Sequence, residues 1–335
     1  MTFEEFLEQV KGQILDYLPK EYAGAEVTVQ EVIKNNDQKL NALCIKRPED
    51  RVVPNIYLND FYQMYQKGRD MDRILSTVSQ IHQESMAESA QWQDFHLGDF
   101  KSVKNNLYVT VLNKESNQEY LKDMVYKDIP DTDITAVLRV LCDKNNEKGN
   151  ASFIVKESML ETWGVAEEDL FELALKNTKR LFSPKLLDLK RVLFRGDDET
   201  VMSKDLQPYA QYVLTNDVRV HGATVMLYPS LLQEIGEATQ GSFFILPSSI
   251  HELILIKDTG EVSAEEFQHM VMEVNRTQVR PEEVLSDEVY KYDFREHKLT
   301  MATDPARTKE YLEQMAGEYG CEDSVEETES DEMER

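Results

Sequence analysis

The stretch from Phe243 to Ile256 constrains the fold of this chain more than any other. Phe243-Phe244-Ile245-Leu246 and Leu253-Ile254-Leu255-Ile256 are apolar, β-prone runs, and between them Pro247-Ser248-Ser249-Ile250-His251-Glu252 forms a polar corner. Runs this short and this apolar read as buried strands, which need a covering layer on each face. The amphipathic helices predicted elsewhere in the chain supply that layer, so the expected class is α+β, with mixed sheets and covering helices.

Upstream, Thr2 and Glu5 form a capping box, and Phe3, Phe6, Leu7, Val10, Ile14 and Leu15 recur on one face, which predicts a helix over 2–18 that Pro19 stops. Val27–Val29 and Leu40–Ile45 flank Asn35-Asn36-Asp37, a hairpin whose Asn residues tolerate positive φ. Asn59 is placed to cap a helix bearing Phe61, Tyr62 and Tyr65 that ends at Gly68, and Met71, Ile74, Leu75 and Val78 mark another. The mixed polarity of 89–106 sets a boundary, giving a helical and hairpin N-terminal domain over 1–100.

The remainder reads as an α+β domain over 101–317. Strand Leu107–Leu112, helix Glu115–Val125, strands Ile134–Leu141 and Ser152–Val155 and helix Glu167–Leu181 are followed by a similar order. That second set is strand Ala223–Leu227, helix Pro229–Ala238, strands Ser242–Leu246 and Glu252–Ile256, and a helix from Ser263. The order β-α-β-β-α thus occurs twice, in units 107–182 and 211–302, and an internal duplication or two ordinary capped helices both account for it. Ser183–Tyr209 reads as a linker or excursion between the two units, Lys298–Met301 as a short strand, and Asp304-Pro305 as a helix start. Residues 318–335 hold nine acids and one Arg with almost no apolar area, and are expected to be a disordered acidic tail.

Against 63 acidic residues the chain has 37 basic ones, a net charge of -26, and -18 remains without the tail. That sign disfavours nucleic acid and anionic membrane surfaces, and suits solubility or a basic protein partner. The longest apolar runs fall far short of the ~18 residues that span a bilayer, and the N-terminus carries acids where a signal peptide has bases. Cys44, Cys142 and Cys321 are dispersed, without a paired framework, which fits a cytoplasmic location.

GxxxxGK[ST], GxGxxG and GxSxG are all absent, so no cofactor is implied. His251-Glu252 begins like HExxH without its second His, and no two histidines are three or four residues apart, so no metal site is expected. Asp197-Asp198-Glu199 and Asp131-Thr132-Asp133 carry the oxygen ligands of a hard cation, but their turn-like context favours solvated turns. The candidate functional corner is Ser248, Ser249, His251 and Glu252, at the ends of buried strands. The competing reading is a connection in which Ser hydroxyls satisfy turn amides. A triad within the corner is disfavoured, because neighbours on a strand face opposite ways. The expected function is a non-enzymatic binding or regulatory module. Its rival is a hydrolase of unfamiliar type with a site near Leu246–Glu252.

Asn55-Ile56-Tyr57-Leu58-Asn59-Asp60-Phe61-Tyr62, Leu246–Glu252, Glu273-Val274-Asn275-Arg276-Thr277 and Val284–Tyr292 together resemble the uncharacterised bacterial family catalogued as domain of unknown function 5688. The resemblance covers nearly the whole chain except the acidic tail. Trp163-Gly164-Val165-Ala166-Glu167-Glu168-Asp169-Leu170 and Leu173–Thr178 carry a weaker similarity to the YtpQ-like family, also uncharacterised. Neither resemblance implies an activity, a cofactor or a binding residue.

Overall fold

The computed structural model describes residues 1–89, 98–145, 149–196, 199–201, 206 and 210–309. Within these the fold is α+β, with three antiparallel sheets covered by helices. The expected tail, 318–335, the pair Asp197-Asp198 and residues 90–97 of the 89–106 boundary lie outside the described residues.

The N-terminal part holds α1 (Phe3–Gln13), β1 (Glu26–Ile33), β2 (Lys39–Lys46), β3 (Ile56–Tyr57), α2 (Asn59–Gln66) and α3 (Met71–Ser89). Both bonds of the capping box form, Glu5 N–H to Thr2 Oγ1 at 3.2 Å and Thr2 N–H to Glu5 Oε2 at 2.8 Å. The regular helix is shorter than expected: it ends at Gln13, and Ile14–Tyr17 tightens into a 3₁₀ turn before Pro19. Asn59 does not cap α2. It is the first helical residue, and its Oδ1 accepts from the Asn41 amide at 2.8 Å, fastening α2 to β2. Phe6, Val10, Leu43, Ile45, Leu58 and Leu75 close this core.

The middle part comprises α4 (Phe100–Val103), β4 (Leu107–Asn113), β5 (Tyr126–Asp128), β6 (Ile134–Asn145), β7 (Gly149–Ile154), α5 (Glu157–Trp163) and α6 (Glu167–Leu181). The long strand β6 pairs with β4 on one edge and with β5 and then β7 on the other. Every residue of β4 is buried, and α6 packs on it through Leu170, Phe171 and Ala174. The helix expected over 115–125 is instead a 3₁₀ turn, Glu115–Asn117, followed by turns, and the backbone N–H groups of Glu119 and Tyr120, which a helix would bond to Glu115 and Ser116, are taken by the Asp37 carboxylate.

The C-terminal part contributes β8 (Pro184–Asp188), α7 (Leu189–Arg195), β9 (Gln211–Asn216), α8 (Pro229–Thr239), β10 (Phe243–Ser249), β11 (Glu252–Lys257), α9 (Ala264–Thr277), β12 (Tyr290–Asp293) and β13 (Lys298–Met301). Its sheet runs in the order β13-β12-β10-β11-β9-β8. The two apolar runs are its centre, and their side chains alternate as the pleat requires. Phe243 and Ile245 enter one core with Leu232 and Ile235 of α8, while Phe244 and Leu246 meet Phe267 and Val271 of α9 on the other face. Each such burial contributes about 1.5–3 kcal/mol.

Two expectations are corrected here. Ser183–Tyr209 is not a bare linker, since Pro184–Asp188 forms the edge strand β8, where a proline at the first position costs no ladder bond. Ala223–Leu227 is not a strand but part of a 3₁₀ helix, Gly222–Leu227, which buries Ala223, Val225 and Met226 in the core without joining a sheet. The order β-α-β-β-α therefore does not recur, and the two units differ in strand order. They also share a core, in which Val111 and Ile134 of the middle sheet pack with Leu214, Leu253 and Tyr290 of the six-stranded sheet. No helix among the described residues is long and apolar enough to cross a membrane.

Candidate functional site

Between β10 and β11 the polar corner is a tight turn in which Ser249 pairs with Glu252 and Ile250-His251 make the reversal. Its side chains serve the turn first. Ser249 Oγ accepts from the His251 amide at 3.0 Å, and Ser248 Oγ lies 3.5 Å from Glu252 Oε1. Neither serine has a bond to the imidazole. The His251 ring faces away from the strands: its Nδ1 accepts from the His221 backbone N–H at 3.1 Å, and its Nε2 lies 3.6 Å from Glu283 Oε1. With Nδ1 an acceptor, the neutral ring carries its hydrogen on Nε2, toward the carboxylate.

Burial pushes His251 below the usual imidazole value, and the Glu283 carboxylate only partly opposes it. His221, 5.8 Å away ring to ring, is pushed well below that value by burial and by the charges of Arg139, His251 and Lys34. Its backbone is left-handed, φ 52°, and Gly222 follows because a side chain there would collide with the His251 carbonyl and Thr215. The turn is thus clamped between the 3₁₀ helix and the segment around Glu283.

That segment, Arg280–Val284, is shared with a second feature. Ile250 N–H donates to the Glu283 carbonyl at 2.8 Å from the corner side. From the other side comes the tip of the β1–β2 hairpin. Asn36 Nδ2 donates to the carbonyls of Pro281 at 2.7 Å and Val284 at 2.8 Å, and Asn35 Nδ2 to that of Glu282 at 2.8 Å. The tip also grips the middle part: Asn36 exchanges bonds with Asn117 at 2.7 and 3.0 Å, and the Asp37 carboxylate caps the amides of Glu119 and Tyr120. Asn36 and Asp37 reach these partners with φ of 59° and 50°, the left-handed region Asn and Asp tolerate.

Where the hairpin tip, the Ser116 turn, α9 and the 279–287 segment meet, they enclose an open cleft of about 760 Å³. Val279, Pro281 and Val284 form an apolar wall with Met272, and Glu273, Asn275 and Asp287 bring polar groups to it. Asn275 Nδ2 donates to Asp287 Oδ1 at 2.8 Å and to the Ser286 carbonyl at 3.0 Å. Burial raises the Asp287 carboxyl above its ordinary value; the Asn275 amide opposes this and the nearby Asp133 carboxylate adds to it. Glu288, next in sequence, is buried and raised in the same way, with Gln268, Thr303 and Thr308 as its hydrogen-bond partners. A carboxylate displaced by desolvation and by a like charge in a cleft is a marker of function.

The Asp131-Thr132-Asp133 turn divides. Asp131 is solvated and pairs with Lys298 at 2.8 Å, but Asp133 is no solvated turn residue: it accepts from Asn113, Ser286 and Tyr290. Among the described residues no three His, Cys, Asp or Glu side chains gather as a metal ligand set.

Residue-by-residue reading finds the corner and misses the cleft, whose walls come from segments as far apart as Asn36 and Asp287. One signal was present: Asn275 and Asp287 both fall within the phrases that carry the family resemblance.

No curated protein and no solved structure matches the chain. The family of unknown function DUF5688 matches residues 3–294, a span that takes in the hairpin tip, the corner and the cleft, and the chain belongs to that family.

Proposed function

We propose that this protein is a non-enzymatic binding module that recognises a protein partner through the cleft between the hairpin tip and α9. The observation that carries the reading is the construction of the cleft. Successive carbonyls along its wall, those of Pro281, Glu282, Glu283 and Val284, are each held by a hydrogen bond from another part of the fold. A wall fixed this way presents its apolar and polar groups with little ordering cost on binding. The net charge of -26 favours a basic partner, and the dispersed cysteines favour a cytoplasmic setting.

A hydrolase working at the corner is the second reading, and the His251–Glu283 pair is the observation in its favour. It has less support, because both ring nitrogens of His251 already have protein neighbours and neither corner serine bonds to the ring.

The test is affinity capture from the native cell with tagged wild type and with Ser116→Trp, which places an indole in the cleft from an exposed turn. A specific protein captured by the wild type and lost with the variant supports the binding module. Identical capture by both, or no specific protein with either, opposes it. Ester or amide hydrolysis by the wild type that His251→Gln abolishes would replace it with the hydrolase.

A further inference from the structure

We propose that residues 310–335, which lie outside the described residues, dock in cis on the outer face of α7. Two observations single out that helix. The first is its bare apolar surface. Leu193 is 68% exposed and Phe194 82%, more than any other large apolar side chain among the described residues. Scattered exposed apolar residues are ordinary, but two neighbours this bare mark a surface that another segment covers. Leu189 and Val192 are the half-buried residues of α7, which packs on β8 and β9.

The second is charge. In a chain of net charge -26, α7 carries Lys190, Arg191 and Arg195 and no acid. Among the described residues no side chain pairs with any of the three; Asp188 Oδ1 is taken by the Arg191 amide, and Glu199 already has an interaction partner. Helical spacing sets Lys190 one turn before both Leu193 and Phe194, and Arg191 one turn before Phe194 and Arg195. Cations and apolar groups therefore interleave on one face, and none of them lines the cleft.

Such a face is matched by an acidic segment with scattered apolar side chains, and residues 310–335 are one. They hold eleven acids, one Arg and no Lys, with Tyr311, Leu312, Met315, Tyr319, Val325 and Met333 among them. They also reach. Thr308 is hydrogen-bonded to Gln268 of α9, and Thr303 to Glu288 beside β12, so the segment leaves the fold near β12, four strands from β8. At about 4.8 Å between strands that is about 19 Å across the sheet. A flexible stretch of 26 residues spans about 28 Å on average. Tethering at this length keeps the local concentration in the millimolar range, so weak charge pairing suffices for docking. Exposed ion pairs contribute little to folding, and the docked segment leaves the stability of the body unchanged.

The test is photocrosslinking of the full chain with p-benzoylphenylalanine in place of Phe194, whose exposure makes the exchange harmless to the core. Trypsin cuts after Lys309 and finds no further site before Arg335, so the whole segment travels as one peptide. The expected result is an adduct between that peptide and the one carrying position 194, in protein of monomeric mass. Raising the salt from about 0.1 to about 1 M shortens the Debye length from about 10 to about 3 Å and should cut the yield by about fivefold or more. On the unsubstituted chain, a carbodiimide should couple the Lys190 amine to a carboxylate of the same peptide. No adduct by either route overturns the assignment. So does an equal yield from the same photoreactive residue at Met64, an exposed site on α2 that reports a segment sweeping the whole surface. Adducts only between two copies would give the face to a second molecule, and coupling of Lys190 to Asp197 or Asp198 alone would show that the helix is neutralised by its own loop. Either result overturns docking in cis.

Discussion

Tyr290 of β12 donates its phenolic hydrogen to Asp133 Oδ1 at 2.5 Å, tying the six-stranded sheet to the turn that opens β6. Ser286 and Asn113 each donate to the other carboxylate oxygen at 2.6 Å, so three chain segments meet on one half-buried charge. Tyr290→Phe removes one of the three donors, and a hydrogen bond to a charged group contributes about 1.5–3 kcal/mol. Urea denaturation at pH 7.5 should show that loss. Burial and Asp133 hold the Tyr290 hydroxyl well above the usual phenol value, so its contribution is complete below about pH 10 and fades above it. The variant should therefore lose less stability than wild type between pH 9 and 11, on the order of that same window.

His82 lies fully buried in the N-terminal core against the edge of Tyr22, with neither ring nitrogen hydrogen-bonded. Burial lowers its affinity for a proton, as it does for His221 and His251. The unfolded chain takes up these protons near pH 6.5 and the folded chain only below that, so stability is complete above about pH 6.5 and falls as the pH drops through the folded values. Asp287 and Glu288, whose carboxyls are raised, act in the opposite sense as they protonate. His82→Phe isolates one contribution: its urea midpoint should fall less than that of wild type between about pH 7.5 and pH 5.5. Equal falls would clear His82 of the role.

Gly222 leaves no room for a methyl. A Cβ there would sit 2.1 Å from Thr215 Oγ1 and 2.3 Å from the His251 carbonyl oxygen. The second contact is with backbone that the corner turn holds fixed, so Gly222→Ala should cost about 1–3 kcal/mol and lower the melting temperature. Gly24, with open space around its Cβ position, is the control, and Gly24→Ala should be close to neutral.

Asn36→Gly keeps the left-handed backbone at the hairpin tip and deletes the side chain that bonds Pro281, Val284 and Asn117. Stability should fall by about 1–3 kcal/mol. Hydrogen exchange should also quicken over 281–284 and 117–120, because those segments lose a shared clamp. Faster exchange confined to the hairpin would show that the tip is a passive turn.

Removal of residues 318–335 should leave the melting temperature within about 2 °C, since nine acids in eighteen residues bring little apolar area to any core. A drop of about ten degrees would mean that the segment packs on the body.

Local physics was legible in the sequence wherever one segment settles its own conformation. The capping box at Thr2, the helix start at Ser263, the positive φ of Asn36 and the burial of Phe243–Leu246 follow from neighbours within one turn or one strand. Three results were decided by tertiary structure alone. Gly222–Leu227 has the composition of a strand but folds as a 3₁₀ helix whose Ala223, Val225 and Met226 enter the core shared by the middle and six-stranded sheets. Asp133 reads as a solvated turn residue until Tyr290, distant in sequence, closes over it. The cleft exists because a polar hairpin tip reaches the 281–284 backbone across most of the chain. Single polar residues carry no pattern that announces such a contact; its energy depends on which donor meets which acceptor once both are withdrawn from water.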